Sequence, residues 1–105
     1  MQNFKNNYIE LYDAICNLNV SRDEMKNFFI DLCTPAELKA LEERWRVCQL
    51  LEYSDLSYRD IHNSTGVSIT TIGRVARFLR DESNGGYRSF LKKLAFHSKK
   101  SLPDK

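Results

Sequence analysis

The chain has 105 residues, 42% hydrophobic and 29% charged, a composition that fits one compact globular domain and argues against disorder. No apolar run approaches the roughly 18 residues of a membrane span, and no basic segment followed by an apolar stretch opens the chain, so a cytoplasmic protein without a membrane anchor is expected. The net charge of +2 hides an asymmetry: residues 1–57 carry six Lys and Arg against ten Asp and Glu, whereas residues 58–105 carry ten against four.

A basic half that is also rich in Ser and Thr suits a surface facing an anion, with nucleic acid as the first candidate; a solvated basic face would give the same balance. The three cysteines, Cys16, Cys33 and Cys48, are far apart and form no Cys-x-x-Cys pair. A disulfide framework and a zinc site are therefore both disfavoured, and a reducing compartment is expected.

With two prolines and four glycines, the chain has the sparse punctuation of helices joined by short turns. No hairpin dipeptide separates alternating apolar runs, so an all-α fold is expected. The first helix is expected over residues 5–18, where Tyr8, Ile9, Leu11, Tyr12, Ile15 and Leu18 recur at helical spacing. Ser21-Arg22-Asp23-Glu24 has the form of a capping box and opens a second helix through Met25, Phe28, Phe29 and Leu32. Thr34-Pro35-Ala36-Glu37 opens a third, with Pro at the first helical position, running to about Tyr53. Its apolar stripe of Leu38, Leu41, Trp45, Cys48 and Leu51, flanked by Val47 and Leu50, is wide enough for burial on two sides.

Ser57 opens a short fourth helix, and Ser68 caps a fifth that extends to about Glu82. After Asn84-Gly85-Gly86, a sixth helix carries Tyr87, Phe90, Leu91, Leu94 and Phe96 on its apolar face. One helical domain over residues 1–98 is expected, followed by a basic tail over 99–105.

Residues 57–80 follow the grammar of a helix-turn-helix. Ile61 lies five residues before Gly66, Val67 follows it directly, and Ile72 and Val75 lie six and nine after it. These four side chains can form the small core between two steeply crossed helices, and Gly66 supplies the left-handed backbone of the turn. The second of the two helices presents Ser68, Ile69, Thr70, Thr71 and Gly73 near its N-terminus, all but Ile69 small or short and polar. Such a helix end can enter a major groove, read base edges and offer N–H groups to phosphate. Ser57, Tyr58, Arg59 and His62 on the preceding segment are expected to meet backbone phosphates, with His62 displaced toward them because a smaller residue commonly packs there.

The spacing Thr34-Pro35-x-Glu37-x-x-Ala40-Leu41-x-x-Arg44-x-Arg46, then Leu50-Leu51, Leu56-Ser57-x-Arg59-x-Ile61 and Gly66-Val67-x-Ile69-x-Thr71-Ile72-x-Arg74, resembles the bacterial Trp repressor family. Leu11-Tyr12-x-Ala14-Ile15 and Gly85-Gly86-Tyr87-Arg88 resemble its Trp-repressor-like branch of the YerC/YecD type, and the likeness spans roughly residues 5–96. The resemblance implies a six-helix subunit in an intertwined homodimer, with double-stranded DNA as partner and transcriptional repression as the role. It also implies that Tyr12, Phe28, Phe29, Trp45 and Phe90 are core and dimer interface.

In the Trp repressor the indole of the corepressor lies between two arginines, and Arg44 and Arg74 match those positions. The neighbours depart: Val75 stands where the repressor has glycine, and Phe78 where it has a serine near the amino group. Tryptophan control is therefore not expected, and Phe78 is expected to fill the indole's space; a different anionic metabolite is a further reading. A dimeric protein-interaction module that has lost operator reading is the alternative from another class. His62 and His97 lack spaced carboxylates or cysteines, Glu42 and Glu43 point apart on a helix, and the cysteines sit in apolar contexts. No enzyme activity, metal or cofactor is expected from these residues.

Overall fold

A computed structural model describes residues 7–98, with side chains through Ala95. Six helices run in the order α1 (Leu11–Asn17), α2 (Arg22–Leu32), α3 (Pro35–Tyr53), α4 (Tyr58–Thr65), α5 (Ile69–Arg80) and α6 (Gly86–Ser98), with no strand among the described residues. The all-α, six-helix subunit expected from sequence is what the described residues form. It divides into two compact units, Met1–Pro35 and Ala36–Lys105.

The first unit departs from expectation at its start. The expected helix at 5–18 begins only at Leu11, and its residues 5 and 6 lie outside the described residues. Asn7 has φ +68°, a left-handed conformation that Asn tolerates better than most residues but that cannot continue a helix. Glu10 is extended and makes no side-chain cap, so Tyr8 and Ile9 stand before the helix despite their helical spacing. The next start is as written in the sequence: Ser21 Oγ accepts from the Glu24 amide at 3.0 Å, and Glu24 Oε1 accepts from the Ser21 amide at 2.8 Å. Phe28 and Phe29 meet edge to face with ring centres 5.8 Å apart. No described residue of this unit is buried, and Ala14, Ile15, Leu18, Val20, Met25 and Phe28 line an open apolar cavity of about 140 Å³.

The second unit contains the core. Val47 and Cys48 of α3, Ile61 of α4, Val67, Ile72, Val75 and Leu79 of α5 and its approach, and Leu91 of α6 form one buried cluster. Trp45, Leu50, Leu51 and Tyr87 pack against its edge. Each fully buried Ile or Val there stabilises the fold by roughly 1.5–3 kcal/mol relative to exposure. Two hydrogen bonds fix α6 against this frame: Tyr53 Oη donates to the Leu91 carbonyl at 2.7 Å, and Arg88 Nη1 donates to the Leu79 carbonyl at 2.7 Å. The second of these satisfies a carbonyl in the last turn of α5 that has no partner within its own helix. Phe90 meets Trp45 edge to face at 6.2 Å yet remains 67% exposed. The Phe96 and His97 side chains and the tail at 99–105 lie outside the described residues.

Candidate nucleic-acid interface

Helices α4 and α5 form the expected helix-turn-helix. Ile61, Ile72 and Val75 are fully buried and Val67 is nearly so, the four residues assigned to its core from their offsets about Gly66. Gly66 lies at φ +80° and ψ −2°, and its N–H donates to the His62 carbonyl at 2.8 Å. The turn is closed by side chains as well. Thr65 Oγ1 donates to the Ile61 carbonyl at 2.7 Å and accepts from the Val67 N–H at 3.0 Å.

His62, expected beside the phosphates, also bonds within the turn. Its Nδ1 lies 2.7 Å from the Val67 carbonyl oxygen, which can only accept, so Nδ1 carries the proton and donates into the turn. The ring is exposed but tethered, and that nitrogen closes the turn instead of reaching toward a phosphate. A carbonyl opposite explains why a histidine serves here in place of a smaller residue.

Ser57 and Ser68, both expected at the interface, are also structural caps. Ser57 Oγ accepts from the Asp60 amide at 3.0 Å while Asp60 Oδ2 accepts from the Ser57 amide at 3.3 Å, a capping box at the helix start expected at Ser57. Ser68 Oγ accepts from the Thr71 amide at 3.1 Å and donates to Thr71 Oγ1 at 3.0 Å. Its own proton is therefore committed, whereas the Thr71 hydroxyl keeps its proton for another acceptor. The first-turn amides of Ile69 and Thr70 precede the one that Ser68 caps, and such amides have no intrahelical acceptor.

The outward face of α5 is open. Ile69 is 46% exposed, Thr70 is exposed, and Gly73 is half-buried with nothing within 4 Å of where a Cβ would stand. Ile72, Val75, Ala76 and Leu79 on the other face are all buried. Arg59 and Tyr58 on α4 are exposed, and Arg59 has no ion-pair partner among the described residues. The helix-turn-helix thus carries Tyr58, Arg59, Ile69 and Thr70 exposed, and Thr71 and Gly73 part-buried beside them.

Arg44 and Arg74 belong to a second grouping. Arg44 is half-buried on α3, one turn before buried Cys48; Arg74 is exposed on α5, next to buried Val75. The Arg74 guanidinium carbon lies 4.3 Å from the centre of the Phe78 ring, and that of Arg77 lies 5.0 Å from it. Arg77, which sequence reasoning did not single out, also pairs with Glu82 at 3.7 Å. Burial raises the Tyr87 phenol above its ordinary value, Cys48 adds to that rise, and the positive charges of Arg44 and Arg74 oppose it.

No group of three or more His, Cys, Asp or Glu among the described residues could hold a metal ion. No helix among the described residues is long and apolar enough to cross a membrane.

The family model described as Trp repressor protein matches residues 6–95. The YerC protein of Bacillus subtilis (strain 168) is 37% identical over 70 residues, which are 67% of this chain and 65% of YerC. The chain thus spans just under two thirds of that relative's length. Among solved structures, a TrpR-like protein from Eubacterium eligens ATCC 27750 superposes with a TM-score of 0.72 at 38% identity, covering 81% of this chain and 84% of that one. A structure from Staphylococcus aureus gives the same TM-score, 0.72, at 35% identity, covering 81% of this chain and 82% of that one.

Proposed function

The chain belongs to the Trp repressor family, and from that premise we propose that it is a sequence-specific transcriptional repressor working as a homodimer in the cytoplasm. One observation carries the reading: a helix-turn-helix whose inner face is fully buried ends in a second helix with an open, small-residue N-terminal face. In the proposed complex α5 enters the major groove, with Ile69, Thr70, Thr71 and Gly73 against base edges. Tyr58 and Arg59 meet phosphates, and Ser57 and Ser68 present their capped helix ends beside them. His62 holds the turn through Nδ1 and brings its exposed ring to the phosphates beside Arg59.

The homodimer reading rests on the first unit's lack of any buried described residue and on apolar exposure such as Tyr12 at 76% and Phe90 at 67%. Surface of that kind marks an interaction site. We place residues 1–98 in a single domain whose core two chains complete together. Light scattering at micromolar concentration is expected to report twice the 12.3 kDa chain mass. A stable folded monomer would overturn it.

Fluorescence anisotropy against random duplex DNA tests the central reading. Micromolar binding that weakens steeply with salt is expected, because phosphate contacts release counterions. No binding at low salt would overturn it in favour of a protein-interaction module. Tryptophan is not the effector in this proposal: Val75 is buried where an indole would need space, and Phe78 already stacks on Arg74. Isothermal titration with L-tryptophan should show no binding tighter than tens of micromolar.

A further inference from the structure

The open side of α5 does not end at Gly73. Residues three, four and seven apart share a helix face, so Arg77 stands one turn beyond Gly73 and two beyond Thr70 on the same side. A helical side chain leans toward the N-terminus of its own helix, so Arg77 leans toward the end that Thr70 occupies. The space over Gly73 is open, with no described heavy atom within 4 Å of where its Cβ would stand.

In the chain alone, Arg77 is engaged elsewhere. At the end of α5 the Asp81 and Glu82 amides both donate to the Arg77 carbonyl, at 2.8 and 3.2 Å, which turns the chain back on itself. Glu82 Oε2 thereby comes 3.7 Å from Arg77 Nε, near enough for charge attraction but beyond hydrogen-bond range. The two side chains are 57% and 42% exposed, and an ion pair so wetted is weak and readily exchanged. The Arg77 and Arg74 guanidinium carbons lie 5.0 and 4.3 Å from the centre of one Phe78 ring. Two cations held at one ring repel each other and favour an anion beside them.

We propose that Arg77 is a phosphate contact kept in reserve by Glu82: on duplex DNA its guanidinium leaves that carboxylate, passes over Gly73 and meets a phosphate at the edge of the groove that α5 enters. The inference rests on the DNA-reading proposal and adds a backbone contact to a face given there to bases. The exchange is favourable on two counts. A guanidinium matches a phosphate with two parallel hydrogen bonds, whereas Glu82 makes none with it. Each phosphate contact also releases counterions condensed on the duplex, and the Glu82 carboxylate returns to water.

Anisotropy on random duplex DNA with three variants tests the exchange. Glu82→Gln removes the competing carboxylate and should tighten binding up to roughly fivefold, the equivalent of one exposed ion pair. Arg77→Gln should weaken binding roughly five- to tenfold near 0.1 M salt and flatten the salt slope by about one unit. With both changes together, the gain from Glu82→Gln should vanish, because Glu82 acts through Arg77. An equal gain with and without Arg77 would overturn the exchange, leaving Glu82 as a distant repelling charge. An unchanged salt slope in Arg77→Gln would overturn the contact itself. If Arg77→Gln does not fold, absence of a gain in Glu82→Gln overturns the proposal alone. These failures would leave the base-reading proposal standing, whereas no binding by the unaltered chain at low salt would overturn both.

Discussion

Gly73→Ala should raise stability and lower DNA affinity at once, a combination that only a solvent-facing recognition surface produces. Gly73 lies inside α5, and a Cβ placed there would meet no heavy atom within 4 Å. Its backbone is not in the left-handed region, so alanine adopts it without strain. Alanine is better than glycine in a helix interior by about 1 kcal/mol, part of which comes from fewer unfolded conformations. A gain of roughly 0.5–1 kcal/mol should raise Tm by about 2–8 °C for a domain of this size. The same methyl adds bulk beside Ile69 and Thr70, which lie four and three residues earlier and so share its face. In a groove, that bulk presses on base edges and should cost on the order of 1–3 kcal/mol at the affected base pair, which is roughly 5- to 150-fold in affinity. Calorimetric melting and anisotropy on one preparation read both effects. A lowered Tm would refute the packing argument, and a raised Tm with unchanged affinity would refute the placement of this face in the groove.

Other perturbations act on separate parts of the same frame. Gly66→Ala meets no neighbour but must hold φ near +80°, so urea midpoints should show a loss of about 1–2 kcal/mol; a loss near zero would refute the left-handed turn. Arg59→Ala should weaken all duplexes alike and flatten the salt slope by about one unit, whereas Thr70→Ala should alter sequence preference. Exchange of those two effects would reverse the assignment of α4 to phosphates and α5 to bases. Burial, with the Glu52 charge adding to it, pushes the Cys48 thiol from 9.0 up to about 11. The unfolded chain releases that proton first, so this contribution to stability is complete below pH 9 and is lost as pH rises through about 11. The loss should amount to roughly 2–3 kcal/mol in urea denaturation across that window, and Cys48→Ala should remove it. An equal pH slope in both proteins would show that Cys48 is not its source.

What the sequence carried and what it withheld follow the range of the interactions involved. The helix-turn-helix core was legible because Ile61, Val67, Ile72 and Val75 are fixed by local offsets about one glycine, and all four are buried. Capping at Ser21 was legible for the same reason, since Ser-x-x-Glu is a four-residue pattern. Helix α1 failed because periodicity over Tyr8 to Leu18 carries no information on where the backbone enters; Asn7 and Glu10 set that start through their dihedral angles. The bond from His62 into the turn was not legible because its partner is a backbone carbonyl five residues on, and carbonyls leave no mark in a sequence.

Helix α5 is where stability and recognition are kept apart. At 12 residues it spans roughly 18 Å and would be marginal in isolation, so its order comes from packing. That packing uses Ile72, Val75, Ala76 and Leu79, spaced by three, one and three residues along one side. Ile69, Thr70 and Gly73 lie on the other side and contribute little to it. Changes on the open side can therefore redirect base contacts at little cost to folding. A truncation such as Ile72→Ala, by contrast, removes a fully buried side chain, costs about 2–5 kcal/mol, and abolishes reading by loosening the helix. Loosening α5 from its packed side reaches every base contact together. A defect there should lower affinity for all sequences in proportion, whereas a defect at Thr70 should change their order.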